Sequence, residues 1–226
     1  MGGGIILLGI MAIIIPDGYI VIALHGIIQL ISNVTRTYAF RNDIKNKLIK
    51  EFSIGSLIGS ILSALIIILL IKFYNVNSAD EIKIDFLKPI IGLFIIWHLF
   101  FKKQKKQKSK SFVKVGSISG IASIFIGATG PLIAPYFLNN NLTKKNIIAN
   151  KAACQAITHI TKIPLFIFFF NLNYINEYKI LFPLIIAVYL GTYFGKNLLN
   201  NISEEIFLKL FKTILFIIAI KLILSF

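Results

Sequence analysis

Acidic residues are scarce in this chain of 226 residues, where nine Asp and Glu stand against 24 Lys and Arg. Charged residues of both signs make up only 15% of the sequence, whereas soluble domains carry about 25%. Hydrophobic residues reach 57%, and the mean hydropathy is +0.82. This scarcity of charge argues against a soluble fold.

Cysteine and catalytic motifs are also nearly absent. Cys154 is the only cysteine and lies in an apolar segment, so neither a disulfide framework nor a Cys-rich metal site is expected. The sequence has no HExxH motif, no phosphate-binding loop, no Ser-His-Asp order and no paired buried carboxylates. We therefore expect no enzyme and no cofactor. The N-terminus lacks the basic region of a cleavable signal peptide.

Long runs of Ile, Leu and Phe take up most of the chain and predict membrane helices. A helix needs about 20 apolar residues to cross a bilayer core of about 30 Å, and Phe52 to Ile71 contains no charge. We expect an all-α, polytopic transmembrane bundle of about seven to eight spans in the cell inner membrane. The apolar runs are Ile5 to Ile15, Tyr19 to Phe40, Phe52 to Phe73, Phe86 to Phe101, Phe112 to Leu138, Ile147 to Phe170, Ile180 to Leu199 and Ile206 to Phe226.

The net charge of +15 would suggest nucleic-acid binding in a soluble protein, but most cations here lie in short loops between apolar runs. Basic loops stay on the cytoplasmic side of a membrane, and the densest run, Lys102 to Lys110, lacks the interleaved aromatics of a nucleic-acid site. We expect no nucleic-acid partner. The predicted inside loops are Arg41 to Lys50, Lys102 to Lys114 and Asn139 to Lys151, and the predicted outside loops are Asn75 to Asp85 and Asn171 to Glu177.

The apolar run from Phe112 to Leu138 is interrupted by Gly127-Ala128-Thr129-Gly130-Pro131. Gly and Pro together predict a break in the helix, and a bilayer tolerates irregular backbone only where it faces protein or a wet cavity. Because basic loops flank both ends, the charge rule requires this segment to enter and return as a hairpin bent near Gly130, with the two halves of the chain inverted. A simple proline kink in a packed helix is the alternative.

The sequence repeats itself at a fixed offset of 126 positions, at which Gly4 to Phe40 matches Gly130 to Phe166. Gln29 then coincides with Gln155. The predicted organisation is a first transmembrane repeat over 1–101, a basic cytoplasmic linker over 102–111 and a second transmembrane repeat over 112–226.

Polar side chains form a stripe on one helix of each repeat, because steps of three and four residues share a helical face. A charge near mid-membrane costs on the order of 3 kcal/mol, and an anionic substrate would supply the charge that the scarce carboxylates do not. Snorkelling of Arg36 and Lys162 to the lipid headgroups is the alternative. The stripes are His25, Gln29, Ser32, Asn33 and Arg36 in the first copy, and Lys151, Gln155, Thr158, His159 and Lys162 in the second.

We predict that an anion binds between the glycine break and these stripes. Amide and cation are seven positions apart in each copy, which is about two helical turns on one face. Arg36 and Lys162, with Gln29 and Gln155, are therefore expected to hold a compact oxyanion. The full set of candidate residues is Gln29, Asn33, Arg36, Gly130, Pro131, Lys151, Gln155, His159 and Lys162, with no metal ligand among them.

These residues resemble the TauE/SafE sulfite-exporter family of bacterial membrane transporters. Gly2-Gly3-Gly4-Ile5-Ile6 is similar to the first repeat signature of that family, and the stretch from Gly127 to Pro135, followed by Asn150 to Lys162, is similar to the second. The resemblance implies transport of sulfite, sulfoacetate or related anions without ATP-binding elements. The first copy departs from the pattern, because Met1 stands opposite Gly127 and the apolar run before the break has no counterpart. Either the natural chain begins further upstream than Met1, or the first repeat is naturally short at its start.

Two functions remain open from the sequence alone. The first is a secondary transporter, in the exporting direction, of a small organosulfur anion. The second is a non-transporting membrane scaffold or accessory subunit whose polar stripes bind a partner helix. The substrate, the coupling ion and the oligomeric state, including a homo-oligomer, stay open.

Overall fold

The computed structural model describes residues 3–82, 87–101, 111–137, 142–201 and 204–224. These residues form helices and connecting turns, without a strand, which confirms the expected all-α membrane bundle. The helices are α1 (Gly3–Ile14), α2 (Gly18–Ala39), α3 (Asn46–Tyr74), α4 (Leu87–Ile96), α5 (Phe112–Phe125), α6 (Gly130–Phe137), α7 (Lys144–Phe169), α8 (Tyr178–Asn201) and α9 (Glu204–Ile223). Short turns of 3-10 helix cover Arg41–Asp43 and Ala79–Glu81, and a π-helical turn, Trp97–Phe101, continues α4.

Three of these helices, α2, α3 and α7, are long and apolar enough to cross a membrane. The helices α1, α4 and α5 and the first part of α8 are apolar but shorter. The total number of crossings stays a prediction. The lysine cluster at 102–110 and the predicted linker that contains it lie outside the described residues, apart from Ser111.

Helix α3 carries its small polar residues inward and its large apolar residues outward. The buried Ser60 donates a hydrogen bond to the carbonyl of Ser56 at 2.9 Å, and the buried Ser63 donates to that of Gly59 at 3.0 Å. Satisfying each hydroxyl within its own helix lets a polar residue lie in a membrane interior at low cost. The opposite face is exposed and fits contact with lipid, and it carries Ile61, Leu65, Leu69 and Phe73.

Helices α3 and α5 pack backbone against backbone. A methyl group at Gly55 or Gly59 of α3 would collide with the backbone of α5, and one at Gly116 or Gly120 of α5 would collide with the backbone of α3. Small residues four apart allow such close approach between membrane helices. This contact holds α5 firmly, and α5 leads directly to the break in the chain.

Helices α5 and α6 form a hairpin inside the bundle. Helix α5 ends at Phe125, Gly127 has a φ of +86°, and α6 begins at Gly130. The ring of Phe112 at the start of α5 lies 5.3 Å from that of Phe137 at the end of α6, so the chain returns to the level at which it entered. At 1.5 Å per residue, α5 spans about 21 Å and α6 about 12 Å. The predicted hairpin is confirmed, and a simple kink is wrong.

A buried amide ties the loop between α2 and α3 to the start of α7. Asn150 accepts a hydrogen bond from the backbone N–H of Lys45 at 2.8 Å and donates to the carbonyl of Asp43 at 3.2 Å. Asn146 donates to the same carbonyl at 2.8 Å. These bonds fix the relative position of α2 and α7, the two helices that carry the polar stripes.

The close contact between α3 and α5 predicts that Gly59→Val lowers the free energy of unfolding by about 1–3 kcal/mol, the usual cost of overpacking. The control is Gly191→Val, because a side chain added at Gly191 meets no neighbouring atom. Both variants replace glycine by valine within a helix, so the intrinsic effect on helix stability is the same. Thermal unfolding of the purified protein in detergent measures both. Equal stability of the two variants would contradict the packing described here.

Candidate functional site

A cavity of about 530 Å³ lies inside the bundle. This volume is in the range of pockets that bind small molecules, about 300–1,000 Å³. Its walls come from α1, α2, α7 and α8 and from the break between α5 and α6. The described residues that line it are Gly3, Gly4, Ile5, Leu7, His25, Gln29, Ser32, Arg36, Ala128, Thr129, Gly130, Ile148, Lys151, Gln155, His159, Val188 and Gly191.

Two helices begin at this cavity. Gly4 lies in the first turn of α1, Gly130 is the first residue of α6, and both line the cavity. The first N–H groups of a helix have no partner within the helix, and they carry partial positive charge. At α6 the N–H of Gly130 can donate into the cavity, whereas Pro131 has no N–H and the N–H groups of Leu132 and Ile133 bond to the carbonyl of Thr129.

A glutamine side chain packs against each of these two glycines. A Cβ atom at Gly4 would lie 3.1 Å from Oε1 of Gln29, and one at Gly130 would lie 2.8 Å from Nε2 of Gln155. Each glutamine follows its glycine by 25 positions, and the two pairs are separated by the 126-residue offset. The fold thus brings these two matching Gly–Gln pairs to one cavity. A residue larger than glycine at position 4 or 130 would displace the amide of Gln29 or Gln155.

Two cations line the same cavity. Arg36 is exposed in the last turn of α2, and its guanidinium donates to the hydroxyl of Ser32 at 3.4 Å. Lys151 is 8% exposed. Within the described lining there is no acidic residue. The site is therefore electropositive and open to an anion.

Two buried histidines form another part of the cavity wall. Nε2 of His25 lies 2.8 Å from the carbonyl oxygen of Gly4, and the rings of His25 and His159 are 6.1 Å apart and nearly perpendicular. In the described part of the chain, Nδ1 of His159 and the hydroxyl of Thr129 lack a hydrogen-bond partner. Buried polar groups are normally paired. These atoms can therefore serve a bound ligand or water.

The cavity brings together most of the predicted residues but not the predicted pair of cations. Lys162 is fully buried away from the lining, and its amino group donates to the carbonyl of Ile22 at 2.8 Å. Asn33 is 1% exposed and also lies outside the lining. The side chain of Pro131 is not described. The predicted residues that do meet are Gln29, Arg36, Gly130, Lys151, Gln155 and His159.

Sequence reasoning missed several lining residues. The 126-residue offset could have identified Gly4, since it coincides with the candidate Gly130. Thr129 precedes Gly130 directly and shares its place at the helix start. Val188 and Gly191 could not be identified from the sequence, because apolar residues and glycine occur throughout membrane helices whether or not they line a cavity.

If the cavity holds water, Gln29→Cys should react with a charged methanethiosulfonate reagent at least about tenfold faster than the native thiol, since reaction requires access and the thiolate. The unmodified protein is the control, because Cys154 is fully buried. A second control, Leu65→Cys, faces outward on α3, and lipid there should keep its thiol unreactive. Labelling rates equal to that of Cys154 would show that water does not enter the cavity.

Comparison with known protein families identifies the family of this chain. The family model described as sulfite exporter TauE/SafE matches residues 1–222. No curated protein and no solved structure matches the chain. Because the family model covers nearly the whole sequence, including both helix starts and both polar stripes, the chain belongs to the sulfite exporter TauE/SafE family.

Proposed function

We propose that this protein is a secondary transporter that exports a small anion of the sulfite and sulfonate class. In this proposal the substrate binds in the cavity between α1, α2, α6 and α7, and no cofactor and no ATP take part. The chain is a multi-pass protein of the cell inner membrane. Membership of the sulfite exporter family supports the general activity.

The observation that carries the proposal is the pairing of Gly4 with Gln29 and of Gly130 with Gln155 at the two helix starts. An oxyanion placed there would accept hydrogen bonds from the N–H of Gly130 and from the glutamine amides of both halves of the chain. Transporters with broken helices often bind anionic groups in this way, near the middle of the membrane.

The cations explain the choice of an anion over a neutral solute. Arg36 and Lys151 line the cavity, and the described lining contains no carboxylate. Sulfite and sulfonates carry compact oxygens that accept charge-assisted hydrogen bonds from Arg and Lys. An anion in the cavity would therefore lie beside two cationic side chains.

We further propose that the chain consists of two inverted repeats, 1–101 and 112–226, joined by the basic segment 102–111. The hairpin of α5 and α6 supports this topology, because it returns the chain to the side from which it came. Alternating access would follow if one repeat rocks against the other around the shared cavity.

We expect Arg36→Gln and Lys151→Gln each to lower anion flux at least about tenfold, which corresponds to about 1.4 kcal/mol if binding limits the rate. The matched control is Lys145→Gln, because Lys145 is an exposed residue in the first turn of the same helix as Lys151. Flux of labelled sulfite and ethanesulfonate is measured in vesicles containing equal amounts of each purified protein.

The unmodified protein decides between transport and the scaffold alternative. Saturable flux that empty vesicles lack supports the transporter, and its absence for every anion tested supports the scaffold. Normal flux in both cavity variants would move Arg36 and Lys151 out of the site and leave the helix starts and glutamines as its only anion ligands.

A further inference from the structure

Lys162 is a fully buried cation that the cavity does not use directly. Its amino group donates a hydrogen bond to the carbonyl of Ile22 on α2 at 2.8 Å and a longer one to the carbonyl of Ser123 on α5 at 3.4 Å. Its exposed fraction is zero. A lysine buried this deeply without a carboxylate among its hydrogen-bond partners needs an explanation, because burial of an ammonium group is expensive.

The second of these carbonyls belongs to the open C-terminal end of a broken helix. The N–H groups of Ile126 and Gly127 both bond to the carbonyl of Ala122, so the carbonyl of Ser123 is one of the last in α5. Such carbonyls carry the negative end of the helix dipole and favour a cation. In transporters with broken helices, this position commonly holds the coupling ion.

The neighbouring backbone is shaped to admit the lysine. A Cβ atom at Gly26 would collide with Cε of Lys162 and would lie 3.0 Å from its Nζ. Glycine at this position of α2 therefore provides the space that the end of the lysine chain occupies. The amino group sits in a formed pocket between α2, α5 and α7, with defined acceptors.

Two histidines connect Lys162 with the cavity. His159 precedes Lys162 by three residues on α7, its ring lies 6.1 Å from that of His25 on α2, and both histidines line the cavity. The side chains that α5 and α3 bring near are hydroxyls: Ser123 donates to the carbonyl of Gly120, and Ser56 pairs with Thr161 on α7. The titratable groups facing Lys162 in the described chain are thus the two histidines, and beyond them the cavity holds Arg36 and Lys151.

We propose that the amino group of Lys162 is a proton-binding site linked to the anion site, so that a proton and the anion bind together. The inference rests on the proposed function. An anion in the cavity lowers the cost of a charged Lys162, and a charged Lys162 attracts the anion by the same free energy, because such coupling is reciprocal. The ammonium occupies the place of a coupling cation, so sodium is not required.

The unmodified protein gives the first test. Ethanesulfonate is the probe, because a sulfonate stays ionised while sulfite changes its own charge with pH. Calorimetry in buffers of different ionisation enthalpy measures the protons taken up per anion bound. We expect net proton uptake above neutral pH, and an affinity that falls as pH rises, by up to about tenfold per pH unit, the limit for one linked proton. Replacing potassium by sodium should change nothing.

Lys162→Met gives the second test, because methionine keeps an unbranched chain in the pocket and removes the charge. We expect weaker binding at neutral pH and loss of both the proton uptake and the pH dependence. Lys145→Met on the same helix is the control and should behave like the unmodified protein. If Lys162→Met does not yield folded protein by size-exclusion chromatography, absence of proton uptake by the unmodified protein still overturns the proposal.

The outcomes separate this inference from the proposed function. Ethanesulfonate binding without proton uptake, a sodium-dependent affinity, or a pH dependence that survives in folded Lys162→Met would overturn the proton site and leave the transporter intact. Absence of binding and flux for both ethanesulfonate and sulfite would overturn both. Uptake of about one proton that disappears in Lys162→Met supports the link.

Discussion

Backbone polar groups inside a bilayer must find partners within the protein, and this constraint organises the whole molecule. A helix that stops at Phe125 and another that starts at Gly130 leave carbonyls and N–H groups open in the interior. The glycine contact between α3 and α5 holds one side of this break in place. Gly130, the first residue of α6, lines the cavity, and the amino group of Lys162 donates to a carbonyl of α5. The negative C-terminal end of α5 thus meets Lys162, and the positive N-terminal end of α6 meets the cavity.

The scarcity of carboxylates then gives the cavity its character. Arg36, Lys151 and two helix starts meet there, and no acidic residue belongs to the described lining. A soluble protein would balance such a site with water and counterions, but a membrane interior cannot do so at low cost. In the function proposed above, an anion is the ligand that fits this electropositive lining, and its binding would favour the charged form of Lys162.

Much of this could be predicted from the sequence, for physical reasons that also show where prediction fails. Apolar runs gave the helices to within a few residues, because burial in lipid requires length and hydropathy that are visible in one dimension. Gly127 to Pro131 marked the hairpin, since few other residues permit its backbone. The pairing of Gln29 with Gln155 followed from the offset. The position of Lys162 outside the cavity could not be predicted from the sequence. Arg36 and Lys162 match at the 126-residue offset, but in the structure only Arg36 lines the cavity. Lys162 instead lies against Gly26 on α2, a contact between segments that are distant in the sequence.

The central claim is that an oxyanion binds between the two helix starts. A crystal structure with 2-bromoethanesulfonate tests it directly, because anomalous scattering locates the bromine and the density locates the sulfonate. We predict the sulfonate oxygens within hydrogen-bonding distance of the N–H of Gly130 and of the amides of Gln29 and Gln155, with Arg36 and Lys151 nearby. A bromine peak outside this cavity, or a sulfonate bound away from both helix starts, would contradict the account.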